Sequence, residues 1–288
     1  MPDQAPFGAY APSGVTAWLL NQTRAATDTW LSKRISFLLR RIAIRRLRGQ
    51  PVDIEALGAQ MRLHPYNNVC EKRVLFTPQF FDPEEREILR SHIRDGFVFV
   101  DIGANIGAYS LFVAAQAGAS ARILCVEPQP DIFDRLVFNI RQNPVAAIKA
   151  VDCAVADKPG ELTLFLDPRN SGESSVKIVG SGQAKAIKVP ATTLLDLVTS
   201  EGYGHIDAIK LDVEGAEDII LEPFLRQAPD AILPRLVIVE DGSGRWQIDL
   251  HALLDEYGYR LLKKTKLNFV YERQEELRGS SAAAASAP

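Results

Sequence analysis

Cysteine is scarce: Cys70, Cys125 and Cys153 are the only three in 288 residues, odd in number and far apart. That pattern excludes a disulfide framework and a cysteine-built metal centre, and it fits a reducing, cytoplasmic compartment. No metal ligand set is read from the sequence. Long apolar runs are also missing. The longest, such as Phe97 to Val100, have strand length, far below the roughly 18 residues a membrane-spanning helix needs. The start, Met1-Pro2-Asp3-Gln4-Ala5-Pro6, has neither the basic and apolar segments nor the small-residue cleavage site of a secretory signal. What remains, 47% hydrophobic and 24% charged residues with 19 glycines and 17 prolines, is the profile of a soluble globular chain. The end is different. Residues 278–288 are rich in alanine and serine, and a disordered tail is expected there.

Acid is absent from one stretch. Between residues 31 and 50 stand Lys33, Arg34, Arg40, Arg41, Arg45, Arg46 and Arg48 with no Asp or Glu, although the whole chain carries 33 basic and 36 acidic side chains. Leu31, Ile35, Leu38, Leu39, Ile42, Ala43 and Leu47 recur in the same stretch at helical spacings, so a basic amphipathic helix is expected. Its apolar stripe could pack on the main domain. It could instead contact a membrane surface through residues 31–48, at the inner face of the membrane, or dock an anionic partner. Nucleic acid is not an expected partner, because no aromatic residues interleave with the arginines and the rest of the chain is acidic.

From residue 94 onward strands and helices alternate. Strands are expected at Phe97 to Val100, Arg122 to Val126, Ala147 to Val155, Ile206 to Leu211 and Leu236 to Val239. The intervening helices fall near Tyr109 to Ala117, Asp131 to Gln142, Ala216 to Leu225 and Leu250 to Glu256. Thr193-Leu194-Leu195-Asp196 has the spacing of a capping box. Glu161 to Leu166 reads as the hairpin partner of the third strand across Asp157-Lys158-Pro159-Gly160. Apolar strands alternating with helices mean a sheet covered on both faces, so the fold class is α/β with a doubly wound, mostly parallel sheet. Two late strands, near Tyr259 to Leu262 and Leu267 to Tyr271, are close enough to form an antiparallel C-terminal hairpin. Residues 1–80 show no strand alternation and read as a helical N-terminal extension, with the main domain at 81–277.

In such sheets ligands bind beyond the carboxyl ends of the strands. Those ends carry acids here: Asp101, Glu127, Asp212 and Glu214, and Glu240 and Asp241. Any one of them could simply cap the following helix. The loop Asp101-Ile102-Gly103-Ala104-Asn105-Ile106-Gly107 places glycines where backbone must turn sharply and approach a ligand. It lacks the Gly-x-Gly-x-x-Gly spacing of a nicotinamide-dependent oxidoreductase, and an acid at its start disfavours a pyrophosphate. An acid-lined cleft suits a cationic ligand rich in donors. S-adenosylmethionine, with its sulfonium, amino group and ribose diol, has that chemistry, and Glu127 stands where a carboxylate would accept the ribose hydroxyls.

The string from Phe99 to Gly107, then Glu127-Pro128, Asn139, Ala154 to Asp157 with Gly160, Asn170-Ser171-Gly172 with Ser174-Ser175, and Ile209-Lys210-Leu211-Asp212-Val213-Glu214-Gly215, resembles the FkbM-type family of S-adenosylmethionine-dependent methyltransferases. The likeness spans roughly residues 94–241. It implies a class I, Rossmann-like methyltransferase and an O-methyltransferase acting on a hydroxyl of a sugar, glycan or polyketide-like small-molecule acceptor. It further implies that Asp101, Gly103, Asn105 and Gly107 hold the methionine end, Glu127 the ribose, and Ala156 and Asp157 the adenine. Where many relatives continue Glu-x-His after the fifth strand, this chain has Glu240-Asp241-Gly242. Asp212, Glu214 and Glu240 are the expected catalytic or acceptor-orienting groups. Asn170 to Ser175, rich in hydroxyls, reads as a lid over the acceptor or a surface loop. His64 and His205 are set aside as surface or packing residues. The competing function is a non-catalytic cofactor-binding or scaffold protein held at a membrane surface.

Overall fold

The computed structural model describes residues 5–167, 170–175 and 185–274; the expected tail lies outside them. The chain opens with α1 (Gly14–Arg24) and α2 (Trp30–Leu47), the latter capped by the Thr29 hydroxyl, which accepts from the Ser32 amide. A hairpin of β1 (Val52–Ala56) and β2 (Ala59–Leu63) follows, then α3 (Val69–Phe76) and α4 (Pro83–His92). The extension is therefore not all helical, which corrects the reading of residues 1–80. Two features hid the hairpin. Asp53 and Arg62 look like solvent-facing charges, yet they pair inside the protein at 2.7 Å with side chains 1% and 3% exposed. The turn also places Leu57, a residue that gives no turn signal, at φ 55° beside Gly58.

Alternation then sets in: β3 (Val98–Ile102), α5 (Ala108–Ala117), β4 (Arg122–Val126), α6 (Pro130–Arg141) and β5 (Ala147–Val151). Three short strands follow, β6 (Ala154–Ala156), β7 (Gly160–Asp167) and β8 (Asn170–Ser175), and then β9 (Lys185–Thr193) and α7 (Leu194–Ser200). The Thr193 hydroxyl caps α7 by accepting from the Asp196 amide at 3.0 Å, as its motif predicts. The chain closes with β10 (Ala208–Leu211), α8 (Glu217–Gln227), β11 (Leu236–Glu240), α9 (Leu250–Glu256), β12 (Tyr259–Lys264) and β13 (Asn268–Arg273).

The central sheet has the order β12-β13-β11-β10-β3-β4-β5, parallel from β11 to β5 and antiparallel at β12 and β13. It is the expected doubly wound sheet with its closing hairpin at one edge. Every residue of β3 and β10 is buried, because helices cover both faces. One core joins Leu19, Leu20, Met61 and Phe76 of the extension to Phe97, Phe99 and Phe112 of the main domain; a second lies on the other face around Ile209, Phe224 and Val239.

Two expected connections differ. The third strand is broken at Asp152-Cys153: β5 stays in the central sheet, while β6 joins a separate sheet of order β6-β9-β7-β8. The partner of β7 is β9, with Glu161 opposite Pro190, because the long β9 enters between β6 and β7 and pairs with both. Asn170 to Ser175, read as a lid or surface loop, is instead strand β8, antiparallel to β7.

Candidate active site

A cavity of about 800 Å³ lies beyond the carboxyl ends of β3, β4, β10 and β11, roofed by α2 and α3 of the extension. Its floor is the loop after β3. The Gly103 and Ala104 amides both donate to the Val126 carbonyl at 2.9 Å, which stitches this loop to the end of β4. Gly103 has φ +77°, and a Cβ there would lie 2.1 Å from the Asp212 carbonyl oxygen. Only glycine lets the β3 and β10 loops close to this distance. Asn105 follows at φ 51°, with its side-chain oxygen accepting from the Asn68 amide group at 2.9 Å.

Glu127 forms the next wall. Its Oε2 accepts from the Asn105 amide and its Oε1 from the Gln129 amide, each at 3.0 Å. Burial pushes its pKa up to about 7, against these two donors, which favour the ionised form; Asp101 and Asp212 add repulsion. Asp101 is buried and accepts from the Ser110 hydroxyl at 2.5 Å. Burial likewise raises its pKa, with Lys210 opposing.

At the ends of β10 and β11 stand the three expected catalytic carboxylates. Asp212, Glu214 and Glu240 present oxygens that all lie within 4.8 Å of one another. Lys210, from the buried strand β10, donates to Asp212 at 2.7 Å and sits over the Tyr109 ring at 4.9 Å. Burial opposes its charge, but Asp212 and Asp101 hold its pKa above the ordinary lysine value. Arg245 spans the other two acids, donating to Glu214 at 3.2 Å and to Glu240 at 3.3 Å. Glu240 is pushed up to about 8, first by burial and then by Asp212, Glu214 and Glu217, with Arg245 pulling the other way. The oxygen trio could ligate a hard cation, but the ammonium of Lys210 and the guanidinium of Arg245 already supply positive charge to it.

Glu217 holds this arrangement without facing the cavity. Its Oε1 accepts from the Val213 and Gly215 amides, each at 3.1 Å, and its Oε2 from the Trp246 indole at 2.8 Å, which fixes the β10 loop against the loop carrying Arg245. Gly215 is required there, since a Cβ would meet Arg245 Nε at 2.6 Å.

Of the residues singled out from the sequence, Asp101, Gly103, Asn105, Glu127, Asp212, Glu214 and Glu240 share this one cavity. Gly107, Ala156 and Asp157 do not line it. Gly107 serves packing, because a Cβ there would lie 2.7 Å from Leu136 Cδ1. Near the expected adenine segment it is Cys153, Ala154 and Val155 that reach the cavity, while Asp157 borders a separate surface groove beside α8. Sequence reasoning assigned no role to Lys210, Arg245 or Asn68. Lys210 had a signal: a charge inside an otherwise apolar strand, Ile209-Lys210-Leu211, must find a partner.

Residues 101–261 match the Methyltransferase FkbM domain. The chain belongs to this family. It is 30% identical over 196 residues to Methyltransferase sdnD of Sordaria araneosa, covering 57% of this chain and 74% of that protein. It is 27% identical over 176 residues to the Hexuronic acid methyltransferase AglP of Haloferax volcanii, covering 60% of this chain and 68% of that protein. Methyltransferase 1 of Beauveria bassiana is 26% identical over 183 residues, with 57% and 72% covered. The chain is thus an S-adenosylmethionine-dependent methyltransferase. The cavity fits that cofactor on its own terms: an acid-lined, partly apolar space floored by the glycine loop after β3, with a buried carboxylate, Glu127, just past the end of the neighbouring strand β4.

Proposed function

We propose that this FkbM-family methyltransferase methylates a hydroxyl oxygen on a sugar, glycan or polyketide-like acceptor, with Glu240 taking the proton and Asp212 and Glu214 orienting the acceptor. The observation that carries this reading is the carboxylate trio sharing one cavity with Gly103, Asn105 and Glu127. When bound, S-adenosylmethionine supplies an electrophilic methyl group and leaves as a neutral thioether. The protein's task is to align the acceptor oxygen in line with that group, exclude water and remove a proton. Asp101, Gly103 and Asn105 would hold the methionine portion, and Glu127 the ribose. Glu240 is buried enough to keep its proton affinity near the working pH, which suits a base for a neutral hydroxyl.

The basic residues lining the cavity favour a sugar acid as acceptor, although Lys33 also pairs with Asp28. Lys33 and Arg40 on α2, together with Lys266 before β13, place cations on the cavity wall, where an acceptor carboxylate would find charge-assisted bonds. The hexuronic acid in the name of the Haloferax volcanii relative supports the same class.

Three measurements test the reading. S-adenosylmethionine at about 100 times its dissociation constant should stabilise the fold by about 2.7 kcal/mol, seen as a rise in melting temperature. Glu127→Ala should weaken that binding by about ten-fold or more, since each charge-assisted bond is worth about 1.5–3 kcal/mol. A panel of uronic acids, neutral sugars and polyketide hydroxyls incubated with methyl-labelled cofactor should then show label on oxygen in a uronic acid first. Label on nitrogen or carbon alone would overturn the O-methyltransferase assignment.

A further inference from the structure

Helix α2 meets its surroundings in three ways. Ser36 and Ala43 are buried against the rest of the chain, and Leu39 and Leu47 pack beside them. Lys33, Ser36, Phe37 and Arg40 face the cavity. Ile44 also packs on the core, while four apolar residues point outward: Leu31 is 61% exposed, Ile35 48%, Leu38 59% and Ile42 40%. These four stand at i, i+4, i+7 and i+11, so they form one row along the helix. The single apolar stripe expected from the sequence is therefore divided, with half of it turned away from the core. Arg34, Arg41, Arg45 and Arg46 are exposed on the flanks of the row. Trp30, 70% exposed, stands at its start with the Arg34 guanidinium over its ring at 4.7 Å.

An outward row of leucine and isoleucine is costly in water unless something covers it. The charge around it selects the occupant. Residues 31–50 hold seven basic side chains and no acid, while the other 268 residues carry 26 basic against 36 acidic. A second copy laid along the same helix would bring arginine against arginine. A bilayer rich in anionic headgroups offers both complements at once: hydrocarbon for the row and phosphate for the flanking guanidiniums.

We infer that the outer face of α2 docks this protein on an anionic lipid surface, with Leu31, Ile35, Leu38 and Ile42 entering the headgroup boundary and the arginines pairing with phosphates. Because the opposite side of the helix lines the cavity, docking sets the cavity beside the bilayer. No helix among the described residues is long and apolar enough to cross a membrane, so the contact is interfacial. The docking is independent of the methyl-transfer reading and is measured without acceptor or turnover.

The test is cosedimentation of the full chain with phosphatidylcholine vesicles, with and without phosphatidylglycerol. Wild-type protein should pellet with the anionic vesicles at low salt. Its partition should fall about ten-fold or more at high salt, since the arginine–phosphate attraction is screened. Ile35→Glu with Leu38→Glu, and separately Arg41→Glu with Arg45→Glu, should each abolish pelleting while leaving the melting temperature unchanged, because all four residues are exposed. Wild-type protein that stays in the supernatant at low salt overturns the inference, as does equal pelleting with neutral vesicles. Sedimentation velocity supplies a third arm: a wild-type dimer that Ile35→Glu with Leu38→Glu converts to monomer, without vesicle binding, would make a second copy the occupant and overturn it too. Retention of the S-adenosylmethionine melting shift in both variants separates loss of docking from loss of the cofactor site.

Discussion

Glu240→Gln is expected to lower single-turnover methyl transfer by about 10²-fold or more while leaving S-adenosylmethionine affinity within a few-fold, the scale on which a positioned general base acts. The substitution keeps the shape of the side chain and an oxygen for Arg245, and removes only the capacity to take a proton. The pH profile should carry the same signature. Glu240 is pushed up from 4.5 to about 8 by burial and by its carboxylate neighbours, so over most of the neutral range it holds a proton and cannot accept another. Activity should therefore rise with pH and level off once the group is ionised. A bound sulfonium favours the ionised form, which places the rising limb at or below about 8 and above the ordinary glutamate value. Asp212→Asn should also slow transfer but keep the limb, because one Asp212 oxygen is already engaged by Lys210 at 2.7 Å and its part is to orient. Single-turnover rates from pH 5 to 9, beside calorimetric titration of the cofactor, separate the two. A Glu240→Gln enzyme that keeps the rising limb would move the base to Asp212 or Glu214.

The parts of this site that could be read from the sequence are those where one residue type answers one local demand. Gly103 stands in a loop that leaves a buried strand and takes positive φ, as does Gly107, which serves packing rather than the cavity. Asp101, Glu127, Asp212 and Glu240 stand at strand ends, and the sheet brings those ends together however the helices pack. The doubly wound, mostly parallel character of the sheet was legible for the same reason, since apolar runs alternating with helices mean a sheet covered on both faces. What escaped depends on pairing across the chain. Asp53 and Arg62 form a buried pair nine residues apart, which no local pattern marks. The insertion of β9 between β6 and β7 leaves no local trace, because a strand that accepts one neighbour or two has the same alternation. Arg245 became visible only when the β11 loop folded back, held by Glu217 through Trp246. Next to the expected adenine residues Ala156 and Asp157, the chain reaches the cavity at Cys153 to Val155 and then turns away, which no local signal marks. On α2 the helical period was correct, but periodicity alone does not tell which apolar residues face the core.

Gly103→Ala is expected to be strongly damaging for the addition of one methyl group. The added Cβ would fall 2.1 Å from the Asp212 carbonyl oxygen and 3.0 Å from its carbonyl carbon, and both are backbone atoms with no rotamer to change. Relief requires the β3 loop to move away from β10, which opens the floor of the cofactor cavity and draws Asp212 out of its place beside Lys210. The φ of +77° adds left-handed strain of about 1–2 kcal/mol for a residue with a Cβ. Together with an overpacking cost of about 1–3 kcal/mol, the loss of stability should come to about 3 kcal/mol. At roughly 2–4 °C per kcal/mol this is a fall in melting temperature of about 6–12 °C. Gly202→Ala, just past the end of α7, is the control. Its φ of +66° also imposes left-handed strain, but a Cβ there meets nothing within 4 Å, so only the conformational part of the cost should appear. Melting curves of the two variants isolate the clash, and S-adenosylmethionine titration should show affinity reduced at least ten-fold in Gly103→Ala and unchanged in Gly202→Ala. Equal stability and equal affinity in the two would mean that the β3 loop is not pinned by β10, and the proposed approach of the cofactor to Gly103 would have to be abandoned.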